Sequence, residues 1–189
     1  MTLPFVFGCS RPQFLLGIGT GGKYLEARDQ ITRKRGGDID KAIGNLETVV
    51  REDPLYKDSL TLLGRAYYMK ARYEDSRMML ERAVLVDNED EIAWLTLGIA
   101  QLRLGMDEKG LTTAQGALTL YGKLTGDNTY KRYQFWDRAG KVRVALRRSI
   151  VVARKGLDDK ENLIRSVESL LAAIDEEEWN QGLEQTIGK

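Results

Sequence analysis

The chain has 189 residues with 29 basic and 28 acidic side chains, a formal net charge of +1, one cysteine and no histidine. The balance leaves no global field to draw nucleic acid or an acidic substrate. The lack of histidine removes His-activated nucleophiles and His-containing metal sites, and the lone cysteine removes an internal disulfide and multi-cysteine zinc sites. Catalysis would have to rest on carboxylates, Lys, Tyr or backbone amides, so the chain reads as no enzyme and implies no cofactor. Three prolines and 30% charged residues fit an all-α protein.

Residues 1–23 form an apolar, glycine-rich N-terminal segment with no run of the roughly 18 apolar residues that a transmembrane helix needs. Its Val6, Phe7, Gly8 and Cys9, followed by Ser10, resemble the end of a bacterial lipoprotein signal. That resemblance implies lipidation at Cys9 and a membrane-anchored, envelope location. Phe7 is bulkier than the usual occupant, and the apolar run is short and lacks a preceding basic residue. A start codon placed too far downstream accounts for both departures; a frayed apolar terminus with a chance cysteine is the alternative.

Gly17-Ile-Gly-Thr-Gly-Gly-Lys23 fits both the dinucleotide fingerprint and the P-loop, except that Tyr24 replaces the Ser or Thr that would ligate magnesium. Either motif needs a strand before it and a parallel sheet around it, and downstream only helix-period segments follow. A glycine linker is the plainer reading of the Gly17–Lys23 loop, with nucleotide binding as the alternative.

From Tyr24 to Arg35 the pattern predicts a helix ended by Gly36-Gly37, then a second helix capped by Asp38 and running to about Glu52 before Asp53-Pro54. From Lys57 the fixed points are Leu60, Leu63-Gly64 and Tyr67, then Tyr73, Ser76, Leu80, Ala83 and Asn88. Thirty-four residues later the same skeleton returns as Trp94, Leu97-Gly98 and Gln101, then Gly110, Ala114 and Ala117. Thirty-four earlier, Ala42, Leu46, Val49 and Pro54 match its second half. Three- and four-residue apolar steps make each half an amphipathic helix. Gly64 and Gly98 each cost roughly 1 kcal/mol against Ala unless a close helix crossing offsets it. The breaks fall near Ala71-Arg72, at Asp87 to Asp90 with Asp90 as an N-cap, and at Gly105-Met106, with the last repeat helix ending near Tyr121. The acids Asp87, Glu89, Asp90 and Glu91 lack the glycine turn and spacing of an EF-hand loop.

This period and skeleton are similar to the tetratricopeptide repeat (TPR). The resemblance implies an α-solenoid of about three helical hairpins over residues 24–121, a non-catalytic scaffold that binds a protein or peptide. In that family the first helix of each repeat lines the ligand groove. Carried over by position, the groove comprises Ala27, Ile31 and Lys34, then Asp58, Thr61, Arg65 and Tyr68, then Ile92, Leu95, Ile99 and Leu102. Ala27, Ile31, Ile92 and Ile99 cannot form the carboxylate clamp of chaperone-binding members. The four-residue apolar face of the third repeat calls for a cover, either a partner or the protein's own C-terminal region, and the second is the plainer reading.

Residues 122–189 read as a C-terminal helical hairpin, with a loop from Tyr121 to Asn128. Phe135, Ala139, Val142, Leu146, Ile150 and Ala153 trace a long helix from Tyr130 to about Lys155, and Trp136-x-x-Ala139-Gly140 echoes Trp94-x-x-Leu97-Gly98. Gly156 ends it, and Asp158 or Asp159 starts a last helix through Leu163, Val167, Leu170, Leu171 and Ile174. Nine bases, among them Arg143, Arg147, Arg148, Arg154 and Lys155, face one acid, Asp137, in the first helix, while the second is acid-rich. Mutual pairing of the two is expected, and contact of the basic helix with a membrane surface is the alternative use. Nucleic acid is disfavoured because no recognition helix or stacking platform is recognisable. A soluble cytoplasmic adaptor of the same fold is the alternative to the tethered one.

Overall fold

A computed structural model describes residues 19–33, 36–126, 137 and 139–187. The helices are α1 (Thr20–Thr32), α2 (Ile39–Glu52), α3 (Ser59–Met69), α4 (Tyr73–Val86), α5 (Glu91–Arg103), α6 (Asp107–Gly126), α7 (Lys141–Ala153) and α8 (Lys160–Ile187), and a short 3₁₀ turn, Gly156–Asp159, precedes α8. Among the described residues there is no strand, and the fold is the all-helical repeat solenoid that the period implies.

Local chemistry sets most of the boundaries. Asp38 and Asp90 accept hydrogen bonds from the Lys41 and Ala93 amides at 3.0 and 2.8 Å, satisfying donors that a helix start leaves free. Asp53 accepts from the Leu55 amide at 3.1 Å and turns the chain out of α2. Between α5 and α6 the turn needs a left-handed residue, and Gly105 supplies it at φ +75°.

The hairpins α1–α2, α3–α4 and α5–α6 stack in chain order. One core packs Ala27 and Ile31 of α1 with Leu46 and Val49 of α2, Leu63 of α3 and Leu80 and Ala83 of α4. A second unites Leu95, Ile99 and Leu102 of α5 with Leu118 and Tyr121 of α6, Val142 and Leu146 of α7, and Leu163, Val167 and Leu170 of α8. Trp94 packs against both.

Four expectations change. The first helix starts at Thr20, so Gly21, Gly22 and Lys23 are helical, and it ends at Thr32 rather than Arg35. Helix α6 runs past Tyr121 to Gly126, so residues 122–126 are not loop; Tyr121 itself is fully buried. Helix α7 begins at Lys141, not Tyr130. Gly140 stands at φ +71°, and the Asp137 carboxylate accepts from the Val142 and Arg143 amides at 3.2 and 2.9 Å. Gly140 is therefore a turn residue, and its likeness to the mid-helix Gly98 does not extend to structure. Phe135 and Trp136 lie outside the described residues.

The fourth change concerns charge. Mutual pairing of α7 and α8 is limited: Lys141 meets Glu176 at 2.9 Å, while the Arg147, Arg148, Arg154 and Lys155 side chains have no partner among the described residues. Glu161, Glu168, Asp175 and Glu178 of α8 turn instead to the repeats.

Candidate binding groove

The first helices α1, α3 and α5 carry the positions assigned to the groove, and α8 lies along them. Leu95, Ile99 and Leu102 are fully buried and pack in the core that α8 completes. The expected cover is thus the protein's own C-terminal helix, α8, which packs against α5. A partner reaching those three residues would have to displace it. Ile31 is buried in the first core and Lys34 lies outside the described residues.

On α3 the groove is polar and meets polar groups of α8. Arg65 Nη2 donates to Asp175 Oδ2 at 2.6 Å, a contact that closes 110 residues of sequence separation, and both residues are buried. Burial works against the Arg65 charge, but the Asp175 carboxylate more than offsets it and the guanidinium pKa is raised. Tyr68 donates to Glu168 at 2.6 Å, and Arg103 of α5 reaches Glu161 at 3.0 Å and Glu168 at 3.4 Å. Burial and the hydrogen bond to Glu168 raise the Tyr68 pKa, so its phenol stays a donor. The Asp175 Oδ1 atom is buried without a hydrogen-bond partner.

The Arg65–Asp175 pair divides the groove into two clefts, since both residues line each. One, about 430 Å³, lies between α1, α3, the α4–α5 turn and α8. Asp58, Thr61, Arg65 and Ile92 of the expected groove line it, joined by Asp87, Glu89, Asp90, Glu91 and Glu178. Its cations are Arg28, Lys57 and Arg65. Arg28 sits 3.7 Å from Glu178, Arg65 holds Asp175, and the Lys57 ammonium rests 4.9 Å above the Tyr24 ring. The cleft lining therefore carries seven acids against three cations.

Several of these acids are held in place. Tyr24 donates to Asp58 and Thr61 to Asp90, each at 2.5 Å. Burial raises the Asp90 pKa above the ordinary aspartate value, opposed by the Thr61 hydroxyl and the Ala93 amide. Burial and the Asp58 carboxylate likewise raise the Tyr24 pKa. A groove face with fixed carboxylates can recognise cationic side chains.

The second cleft, about 350 Å³, has Tyr68, Met69 and Tyr73 on the repeat side and Leu171 and Ala172 on α8. Among the described residues, no group of three or more His, Cys, Asp or Glu is placed to hold a metal ion.

The residues that sequence reasoning missed are Glu161, Glu168, Asp175 and Glu178 of α8. Ile164, Glu168, Leu171 and Asp175 recur at four- and three-residue steps and so form one line along the helix. A line that alternates apolar and acidic residues beside the apolar stripe was the available signal. Lys23 of the glycine-rich segment turns to Glu52, 3.5 Å away, and Thr20 donates to the same carboxylate at 2.6 Å. That pairing and the helical path of residues 20–23 speak against a phosphate cradle there.

Residues 35–102 match the family model described as tetratricopeptide repeat. No curated protein and no solved structure shows a significant match to the chain.

Proposed function

Because the chain carries tetratricopeptide repeats, a motif that supports protein interaction generally, we propose that it is a non-catalytic scaffold that binds a protein or peptide segment with basic side chains. The observation that carries this reading is the open acidic cleft at one end of the groove along which α8 lies. Asp58, Asp87 and Glu89 would take Lys or Arg side chains, Thr61 and Asp90 keep the wall in shape, and Ile92 offers apolar contact. Charge-assisted hydrogen bonds of this kind are stronger than neutral ones and confer orientation. A displayed library of random peptides, panned on the full chain, should enrich Lys- and Arg-containing sequences. The Asp87→Lys/Glu89→Lys variant should lose that enrichment. Selected peptides with no basic bias, or with a bias the variant keeps, would overturn the cleft assignment.

The Val6-Phe-Gly-Cys9 sequence supports a second, compatible reading, in which the scaffold is tethered to a bacterial envelope membrane by lipid on Cys9. Cys9 lies outside the described residues. Among those described, no helix is long and apolar enough to cross a membrane, so anchoring in this reading rests on acyl chains. A single chain binds only marginally, and stable anchoring needs a second signal. Expressed from its native gene, the protein should fractionate with membranes and Cys9→Ser should release it; equal fractionation would leave the untethered adaptor.

A further inference from the structure

The solvent face of α7 is built unlike any other helix surface described above. Val142, Leu146, Ser149, Val152 and Ala153 are buried against the second core. On the opposite side Val144 and Val151, two turns apart, are 68% and 56% exposed. Arg147 and Arg154 flank them along one edge and Arg148 and Lys155 along the other, all exposed. No acid occurs from Lys141 to Lys155.

The absence of neutralising partners has a structural cause. Four acids of α8, the neighbouring helix, are engaged with the repeats: Glu161 and Glu168 with Arg103, Asp175 with Arg65, and Glu178 with Arg28. Lys141 and Arg143 are matched by Glu176 and Asp137. The four remaining cations have no ion-pair or hydrogen-bond partner among the described residues. Two bare valines inside a ring of unmatched cations are arranged for a surface that is anionic at its edge and apolar beneath it.

We propose that this face of α7 docks the protein on the surface of an anionic lipid bilayer, with Val144 and Val151 at the acyl boundary and the four cations among the headgroup phosphates. Apolar centre and basic flanks are the arrangement of an interfacial helix, and the arginine stems can extend past the valines to reach the phosphates. A helix that reads a nucleic-acid backbone would gain nothing from valines at the centre of its contact. This deepens the membrane reading above and rests on it for its biological setting. The face itself needs no lipidated cysteine, so the two can fail separately.

The test uses the full chain made without acylation, sedimented with vesicles of phosphatidylcholine alone or of phosphatidylcholine and phosphatidylglycerol in equal parts. Binding is expected only with the anionic vesicles and should weaken as salt rises. Each cation near such a surface contributes about a fivefold gain in partitioning, so Arg147→Glu/Arg148→Glu should abolish measurable binding while Arg147→Lys/Arg148→Lys keeps it. Val144→Ser/Val151→Ser should reduce it several-fold. All these positions are exposed, and unchanged melting curves would show that the variants are folded. Failure of anionic vesicles to capture the chain, or capture that survives charge reversal, overturns the proposal whatever Cys9→Ser does in cells. Salt-sensitive binding to duplex DNA or RNA without vesicle binding would overturn it in favour of a nucleic-acid surface.

Discussion

The hairpins α3–α4 and α5–α6 share one sequence skeleton yet present opposite faces to the groove. Position by position, Asp58, Thr61, Arg65 and Tyr68 of the first stand where Ile92, Leu95, Ile99 and Leu102 stand in the second. The polar face is crossed by discrete hydrogen bonds and keeps open clefts beside them, whereas the apolar face is sealed by α8. The crossings within the two hairpins differ as well. A methyl group at Gly98 would stand 2.8 Å from the Ala114 backbone nitrogen, whereas one at Gly64 would meet the Leu80 side chain. The repeat pattern sets where helices cross. The residues that vary within it decide how closely they cross and which faces stay accessible.

Placing a charge in the sealed face should break this contrast most severely. Leu95→Asp is expected to cost about 4 kcal/mol or more in denaturant unfolding, because it buries a carboxylate with no partner. A melting curve close to wild type would show that α8 does not hold the α5 face closed.

Next in size is the bridge between the polar face and α8. Arg65→Met should cost about 3–5 kcal/mol by leaving Asp175 charged, buried and alone, and Arg65→Met/Asp175→Leu should recover most of the loss. If the double variant is no more stable than the single, the pair is not what joins α8 to α3.

The two crossings can be compared with one substitution made twice. Gly98→Ala should cost about 1–3 kcal/mol, since backbone would have to move. Gly64→Ala shares the same gain in helix propensity and its methyl would stand 2.5 Å from Cγ of buried Leu80, but a side chain can repack where backbone cannot, so it should be milder by about 1 kcal/mol. Equal losses would mean that the hairpins are equally tight.

The smallest effect is one of pH. Asp90 is held above its ordinary pKa by burial, so the folded state binds its proton more tightly than the unfolded state. Its charging therefore lowers stability as pH rises through and above the usual aspartate range of about 4. Asn retains the capping oxygen, so the melting temperature of Asp90→Asn relative to wild type should rise between acid and neutral pH. A difference that stays flat or falls would show that Asp90 is not penalised by its site.

The helices that follow the repeat were legible from spacing, because burial of a helix face writes a three- and four-residue step into the chain. So were the helix starts at Asp38 and Asp90 and the break at Asp53-Pro54, where a single side chain meets local backbone donors. The same spacing misled at Gly140. A glycine can serve a close crossing or a left-handed turn, and the contacts that distinguish them come from elsewhere in the fold. Of the groove, its α3 and α5 positions were readable, but the carboxylates that α8 brings to it were not.

What the sequence determined by itself is periodicity, capping and the presence of an apolar face on α5 that needed covering. Only the tertiary structure decided that α8 covers it, that Arg65 meets Asp175, and that the cations of α7 are left facing outward. The physical reason is that local spacing records which side of a helix is buried, while the choice of neighbour depends on competition among distant surfaces. With four acids of α8 settled on the repeats, Arg147, Arg148, Arg154 and Lys155 are left facing solvent.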